Sequence, residues 1–282
     1  MSIADLLLPA FVASLILTGI HAYLGVHVVE RGVIFVDLSL AQIAALGTTV
    51  AYLMGNDLHS TVAYFYSLGF TFLGAAIFAF SRVHHRTRIP QEAVIGIVYA
   101  VSAAIAILVM SKATQETEHL KEMLVGNILS VTWPELLKTA VLYSLVGVFH
   151  FVFRHRFLLM SLNEAEAERR GWNLRFWDFL FYVSFGFVVT SSVAIAGVLL
   201  VFCFLIVPSV TAMLFSERLG PRLAIGWSMG ALVSAGGVAL SYALDLPTGA
   251  TIVGTFGITL LIVAALRRAF RGYSGTPQAT SL

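Results

Sequence analysis

Long apolar runs alternate along this chain with short polar connectors that hold most of its charge. An α-helix needs about 20 apolar residues to cross a bilayer. The pattern predicts nine such spans, over residues 6–28, 33–54, 61–80, 91–111, 135–153, 176–192, 194–215, 223–244 and 248–266. The sixth and seventh must share a tight turn near Thr190, Ser191 and Ser192; a re-entrant segment there would change the count. The fold class is therefore an all-α polytopic membrane protein, with one transmembrane domain over residues 1–271. Residues 272–282 are small and polar and read as a disordered tail. The first run lacks a basic leader and is too long for a cleaved signal peptide, so it reads as a retained span.

Composition agrees with the pattern. Of 282 residues, 59% are hydrophobic and 11% charged, where a soluble domain carries about 25% charged residues. Basic residues gather in cytoplasmic loops. With nine spans, the loops after spans one, three, five and seven share a side with the C-terminus and hold 14 of the 17 basic residues, leaving Lys112, Lys121 and Lys138 opposite. The N-terminus is thus expected outside and the C-terminus inside; eight spans would scatter the later clusters across both sides. The net charge of +2 gives no nucleic-acid signal. Cys203 is the only cysteine, which excludes an intrachain disulfide and a cysteine-based metal site.

The densest charge lies in residues 162–172, LNEAEAERRGW, where both ends of a short helix can be read. Asn163 fits an N-cap and Glu166 the capping-box position. Glu164 and Glu166 suit the positive end of the helix dipole, Arg169 and Arg170 the negative end. Gly171 closes the helix. This stretch is either a solvated helical loop or a cytoplasmic knob shaped for a partner. Across residues 112–134, Leu120, Met123, Leu124, Ile128 and Val131 recur at helical spacing, suggesting an amphipathic helix on the outer surface. Gly226, Gly230 and Ser234 form a small-residue ridge, for packing within the subunit or at a dimer seam.

Several chemistries are excluded by motif. The chain has no phosphate-binding Gly-x-x-x-x-Gly-Lys-Ser/Thr loop, no His-Glu-x-x-His pair and no Gly-x-Ser-x-Gly elbow. The informative residues are polar groups within the spans, which are costly in hydrocarbon and tend to face a path or a partner. His21, Asp37 and Gln42 lie in the first two spans, with His27 nearer the interface. Such a set could ligate or pass a divalent cation; a satisfied structural histidine is the plainer reading of His21. Glu92 opens span four, as a path residue or a first-turn acid. Asp245 sits at an outer turn, where it could cap span nine. Glu118 and His119, beside Glu116 on the outer side, could receive a cation, contact a docking protein or be simply solvated. His84 and His85 lie in a basic cytoplasmic loop and are given no metal role.

Four stretches resemble the membrane permeases of metal-uptake ABC transporters, which import zinc, manganese or iron. ERGVIFVDLSLAQIAALG (30–47) is similar to the family's Arg-Met-x-x-x-Gly-Asp-Ala-Leu-Ser-His region leading to a glycine. EAVIGIVYA (92–100) is the second, and LVGNILSV (124–131) resembles a Phe-Gly-x-Ile-Leu segment. The fourth runs from GVLLVFCFLIVPSVTA (197–212) to DLPTGATIV (245–253). No one motif is highly specific; their order and spacing carry the likeness.

The resemblance implies a permease subunit of the bacterial cytoplasmic (inner) membrane, surrounded by lipid and paired as a homodimer around a translocation path. Separate ATP-binding cassette subunits would hydrolyse ATP, so the chain itself is expected not to be an enzyme. An extracytoplasmic solute-binding protein would deliver the metal, held in passing as substrate and not as a bound cofactor. Residues 163–171 would be the coupling helix seated in the ATPase. One departure stands out. Aligned on Gly47, the family's His falls on Gln42 and its Asp on Leu38, with Asp37 one place earlier, about 100° around the helix. Glutamine is a poor transition-metal ligand beside histidine. An importer of a metal chelate or cobalamin-like ligand therefore stays open, as does a stand-alone secondary carrier, which would leave the capped helix without a task.

Overall fold

A computed structural model describes residues 3–57, 60–82, 90–111 and 128–273 of the chain. Its long helices are α1 (Ile3–Glu30), α2 (Val36–Leu53), α3 (Thr61–Phe80), α4 (Gln91–Met110), α5 (Trp133–Val152), α8 (Leu174–Phe215), α9 (Leu219–Leu244) and α10 (Thr248–Tyr273). Two short helices, α6 (Arg154–Leu162) and α7 (Glu164–Arg169), join α5 to α8. No strand occurs among the described residues. Eight helices among them are long and apolar enough to cross a membrane.

The 42-residue α8 accounts for two of the nine predicted spans. At about 1.5 Å per residue a straight helix of that length would run about 63 Å, twice the hydrocarbon thickness. Its two ends, however, meet the same part of α1. Asp178, near the start of α8, pairs with Arg31 just beyond α1. After its end, the Ser216 carbonyl accepts from Arg222, and Arg222 pairs with Glu30. Between those points Ser192 faces His21, while Ser209 bonds the Ala22 carbonyl. The chain therefore runs outward, reverses and returns. The reversal is at Gly197, whose φ of 75° and ψ of 162° belong to a region essentially reserved for glycine. The turn expected at Thr190–Ser192 is thus displaced. Thr190 and Ser192 stay in helix because their hydroxyls bond Thr71 and Tyr143 on neighbouring helices.

The same contacts gather Arg31, Arg82 and Arg222 at one end of the bundle, as the charge distribution requires. Arg267, near the end of α10, lies over the Phe215 ring at that end.

α1 is the central helix, packed by α5, α6, α8 and α9. α2 is flanked by α3 and α4, and α10 covers α8 and α9. Tight packing replaces the hydrophobic effect as the binding force between membrane helices. The small-residue ridge shows this directly. A side chain at Gly230 would collide with Thr18, and Gly226 faces Ala22 and Pro208. The ridge therefore packs α9 inside the subunit.

Of the predicted outer helix, residues 112–127 lie outside the described residues. The stretch immediately after them is a single 3₁₀ turn, Ile128–Ser130, and Ile128 and Val131 are buried in the core. Residues 272 and 273 of the predicted tail are helical, since α10 continues to Tyr273; residues 274–282 are not among those described.

Candidate functional site: the buried acid and the inner-end helix corner

The path candidates occupy different surroundings. Asp37, in the first turn of α2, is 1% exposed, and neither carboxylate oxygen meets a hydrogen-bond partner among the described residues. Leu38 and Gln42, one helical turn apart, are instead partly exposed. The one-residue offset in the sequence thus becomes a real separation, with the acid turned inward and the aligned positions on the open side of α2. Glu92 accepts from the Phe35 N–H at 2.9 Å, just where α2 starts. Phe35 has no side chain with which to cap the helix, so the α4 carboxylate supplies an acceptor at its positive end.

His21 is fully buried. Its Nδ1 donates to the Leu17 carbonyl at 2.8 Å, and its Nε2 meets the Ser192 hydroxyl at 3.2 Å. Both ring nitrogens are engaged, Nδ1 within α1 and Nε2 across to α8. Asp245 is the C-cap of α9 in the left-handed conformation (φ 51°, ψ 48°), so it ends one span and does not cap the next. Glu118 and His119, with Glu116, His84 and His85, fall outside the described residues. Those described contain no group of three or more His, Cys, Asp or Glu side chains placed to hold a metal.

The coupling-helix candidate is well defined. Asn163 accepts from the Glu166 N–H at 3.1 Å, and Glu164–Arg169 form α7. Arg170 is the C-cap, and Gly171 comes next at φ 70°. The Glu166 side chain does not complete the capping box. It pairs with Arg170 and Arg169, each at 2.9 Å, because the Asn163 N–H is already taken by the Leu159 carbonyl. The hydrogen bond from Arg170, then the charge of Arg169, hold the Glu166 carboxyl below its usual value. This pairing adds to α7 above the ordinary glutamate range and fades as pH falls through the lowered value. The exposed side of α7 presents Glu168, Arg169 and Arg170, while Ala167 is fully buried against the bundle.

One group escaped sequence reasoning. Asp178, 1% exposed, receives both Arg31 (2.9 Å) and Arg82. Arg82 also reaches Glu164 at 2.9 Å, and the Arg31 Nε donates to Ser161 at 2.7 Å. The available signal was that Asp178 is the sole acid in the 42 residues of α8. In a second group, where α1, α5, α6 and α8 meet, Tyr23 packs on His27 and His150, both histidines pack on Phe181, and His150 stacks on Phe157.

Comparisons with known proteins agree with this architecture. The manganese transport system membrane protein MntC of Listeria innocua is 27% identical over 244 residues, covering 86% of this chain and 84% of its own. The chelated iron transport system membrane protein YfeC of Yersinia pestis is 29% identical over 212 residues, covering 71% and 72%. The solved structure of PsaBC from Streptococcus pneumoniae in complex with Fab superposes with a TM-score of 0.75 at 22% identity, covering 91% and 90%. The model of the ABC 3 transport family matches residues 3–267. A multi-pass protein of the bacterial inner membrane, with transport-system membrane proteins as its relatives, the chain belongs to the ABC 3 transport family.

Proposed function

We propose that this chain is the permease subunit of an ATP-driven importer that moves a divalent metal (zinc, manganese or iron) across the inner membrane by alternating access. The observation that carries the reading is the family match over residues 3–267, nearly the whole transmembrane domain. The relatives' names supply the cargo class, since they include manganese and chelated-iron transport systems. ATP would be hydrolysed by a separate cassette subunit. α7 is the element suited to seat in it, being short, capped at both ends and charged on its exposed side. Two copies of the chain would enclose the path, and an extracytoplasmic binding protein would load it. Asp37 is the residue proposed to meet the passing cation, because a buried carboxylate without a donor gains most from a positive partner.

Removing charge from α7 by Glu164→Ala with Arg169→Ala tests the energising step. Metal uptake in cells that also hold the ATPase and binding protein should be lost while the chain stays in the membrane. Unaltered uptake would mean a carrier that needs no ATPase contact through α7.

A second reading, import of a chelated metal or cobalamin-like ligand, draws on Leu38 and Gln42. Neither is a good transition-metal ligand, yet they occupy the open side of α2. Uptake of the chelate in preference to the free ion would select it.

A further inference from the structure

We infer that Asp178 is a positioning residue that locks the coupling helix to the inner ends of α1 and α3, so that the α6–α7 corner and those two spans move together. The inference rests on the reading of α7 as the ATPase contact and goes beyond it by naming what transmits the movement.

The geometry is a clamp with two arms. Asp178 stands in the second turn of α8, almost wholly buried. One carboxylate oxygen takes Arg31, just after α1, and the other takes Arg82, just after α3. Each guanidinium then reaches one flank of the corner at Asn163. Arg31 donates to Ser161, in the last turn of α6, and Arg82 to Glu164, the first residue of α7. The forked donors of arginine allow one side chain to serve two acceptors at once, which a lysine does less well. Arg31 is held further by the Phe181 ring, 4.0 Å from its guanidinium carbon. Arg82 is only 11% exposed and Asp178 1%, so water competes little for their pair, whereas Glu164 at the far end is 41% exposed.

The four charges, Arg31, Asp178, Arg82 and Glu164, sum to zero, so the cluster is stable as a unit. Taking away one buried member leaves the others uncompensated. A displaced α7 must therefore either carry the ends of α1 and α3 with it or break the Arg82–Glu164 pair and the Arg31–Ser161 hydrogen bond, while both arginines stay anchored on the buried Asp178. α1 is the central helix, and α3 packs on α2, which bears Asp37. The clamp thus leads from the inner surface to the central helix and to α3, which packs on the helix that bears the buried acid.

The test uses the full transporter, permease with ATPase and binding protein, in liposomes, with transport and ATP hydrolysis measured together. Asp178→Asn keeps the shape and removes the charge. We expect the complex to co-purify and the ratio of ions moved to ATP hydrolysed to fall about tenfold, within the usual span of coupling between sites. A merely structural role makes a different forecast for the double variant Asp178→Asn with Arg82→Gln. Restored neutrality would then bring the ratio back, whereas a clamp stays open in both variants. A wild-type ratio in either variant overturns the inference while leaving the ATP-driven reading intact. No ATP-driven uptake by the wild type, with all subunits present, would sink that reading and the clamp with it. The double variant also decides the matter if Asp178→Asn alone fails to fold.

Discussion

Gly197 sets the number of crossings, and replacing it should be costly out of proportion to the size of the change. Its φ of 75° and ψ of 162° lie where a Cβ meets the backbone, a region all but closed to other residues. Gly197→Ala adds one methyl group. The variant must either hold the strained conformation, at about 1–3 kcal/mol, or straighten the helix. Straightening is far worse, because Asp178 would lose Arg31 or Ser209 would lose the Ala22 carbonyl. The strain is thus the cheaper course and sets the expected effect. For a chain of this size it lowers the melting temperature by about 2–6 °C. Gly236→Ala is the control, since Gly236 sits in helical backbone with open space around it and should gain slightly in stability. The assay is thermal unfolding of the purified, detergent-solubilised chain monitored by tryptophan fluorescence, with Trp177 buried in the aromatic cluster as a reporter. Equal melting temperatures for Gly197→Ala and wild type would refute the reversal, because a continuous helix would welcome alanine.

Two further outcomes are expected. Asp37→Asn should lower metal uptake at unchanged abundance in the membrane; uptake at the wild-type rate would make Asp37 structural and remove it from the path. Gly230→Ala should destabilise the chain by about 1–3 kcal/mol through collision with Thr18, and Thr18→Ala should recover most of the loss if the ridge packs within the subunit; failure to recover would point to a different neighbour.

The spans were legible in the sequence because a bilayer demands unbroken apolar length, a demand that depends on local composition alone. The inner end was legible because arginines mark it. The ends of α7 were legible because Asn163 and Gly171 act within a few residues of themselves. Side-chain pairing was much less so. Glu166 matched the capping-box position but turned to Arg169 and Arg170, since the Leu159 carbonyl had claimed the backbone group it would have served. The turn expected among the hydroxyls of Thr190–Ser192 fell at Gly197, because those hydroxyls found partners on other helices. Asp178 went unnoticed, as its meaning depends on Arg31 and Arg82, distant in sequence by 147 and 96 residues.

The most direct test of the central claim is metal uptake into liposomes holding this permease with its ATPase, the binding protein outside and ATP enclosed, with elemental analysis of the contents. Accumulation of one divalent metal with ATP, and none with a non-hydrolysable analogue, is the result expected of an ATP-driven metal permease. Equal accumulation with and without hydrolysis would contradict it and identify a carrier driven by some other gradient.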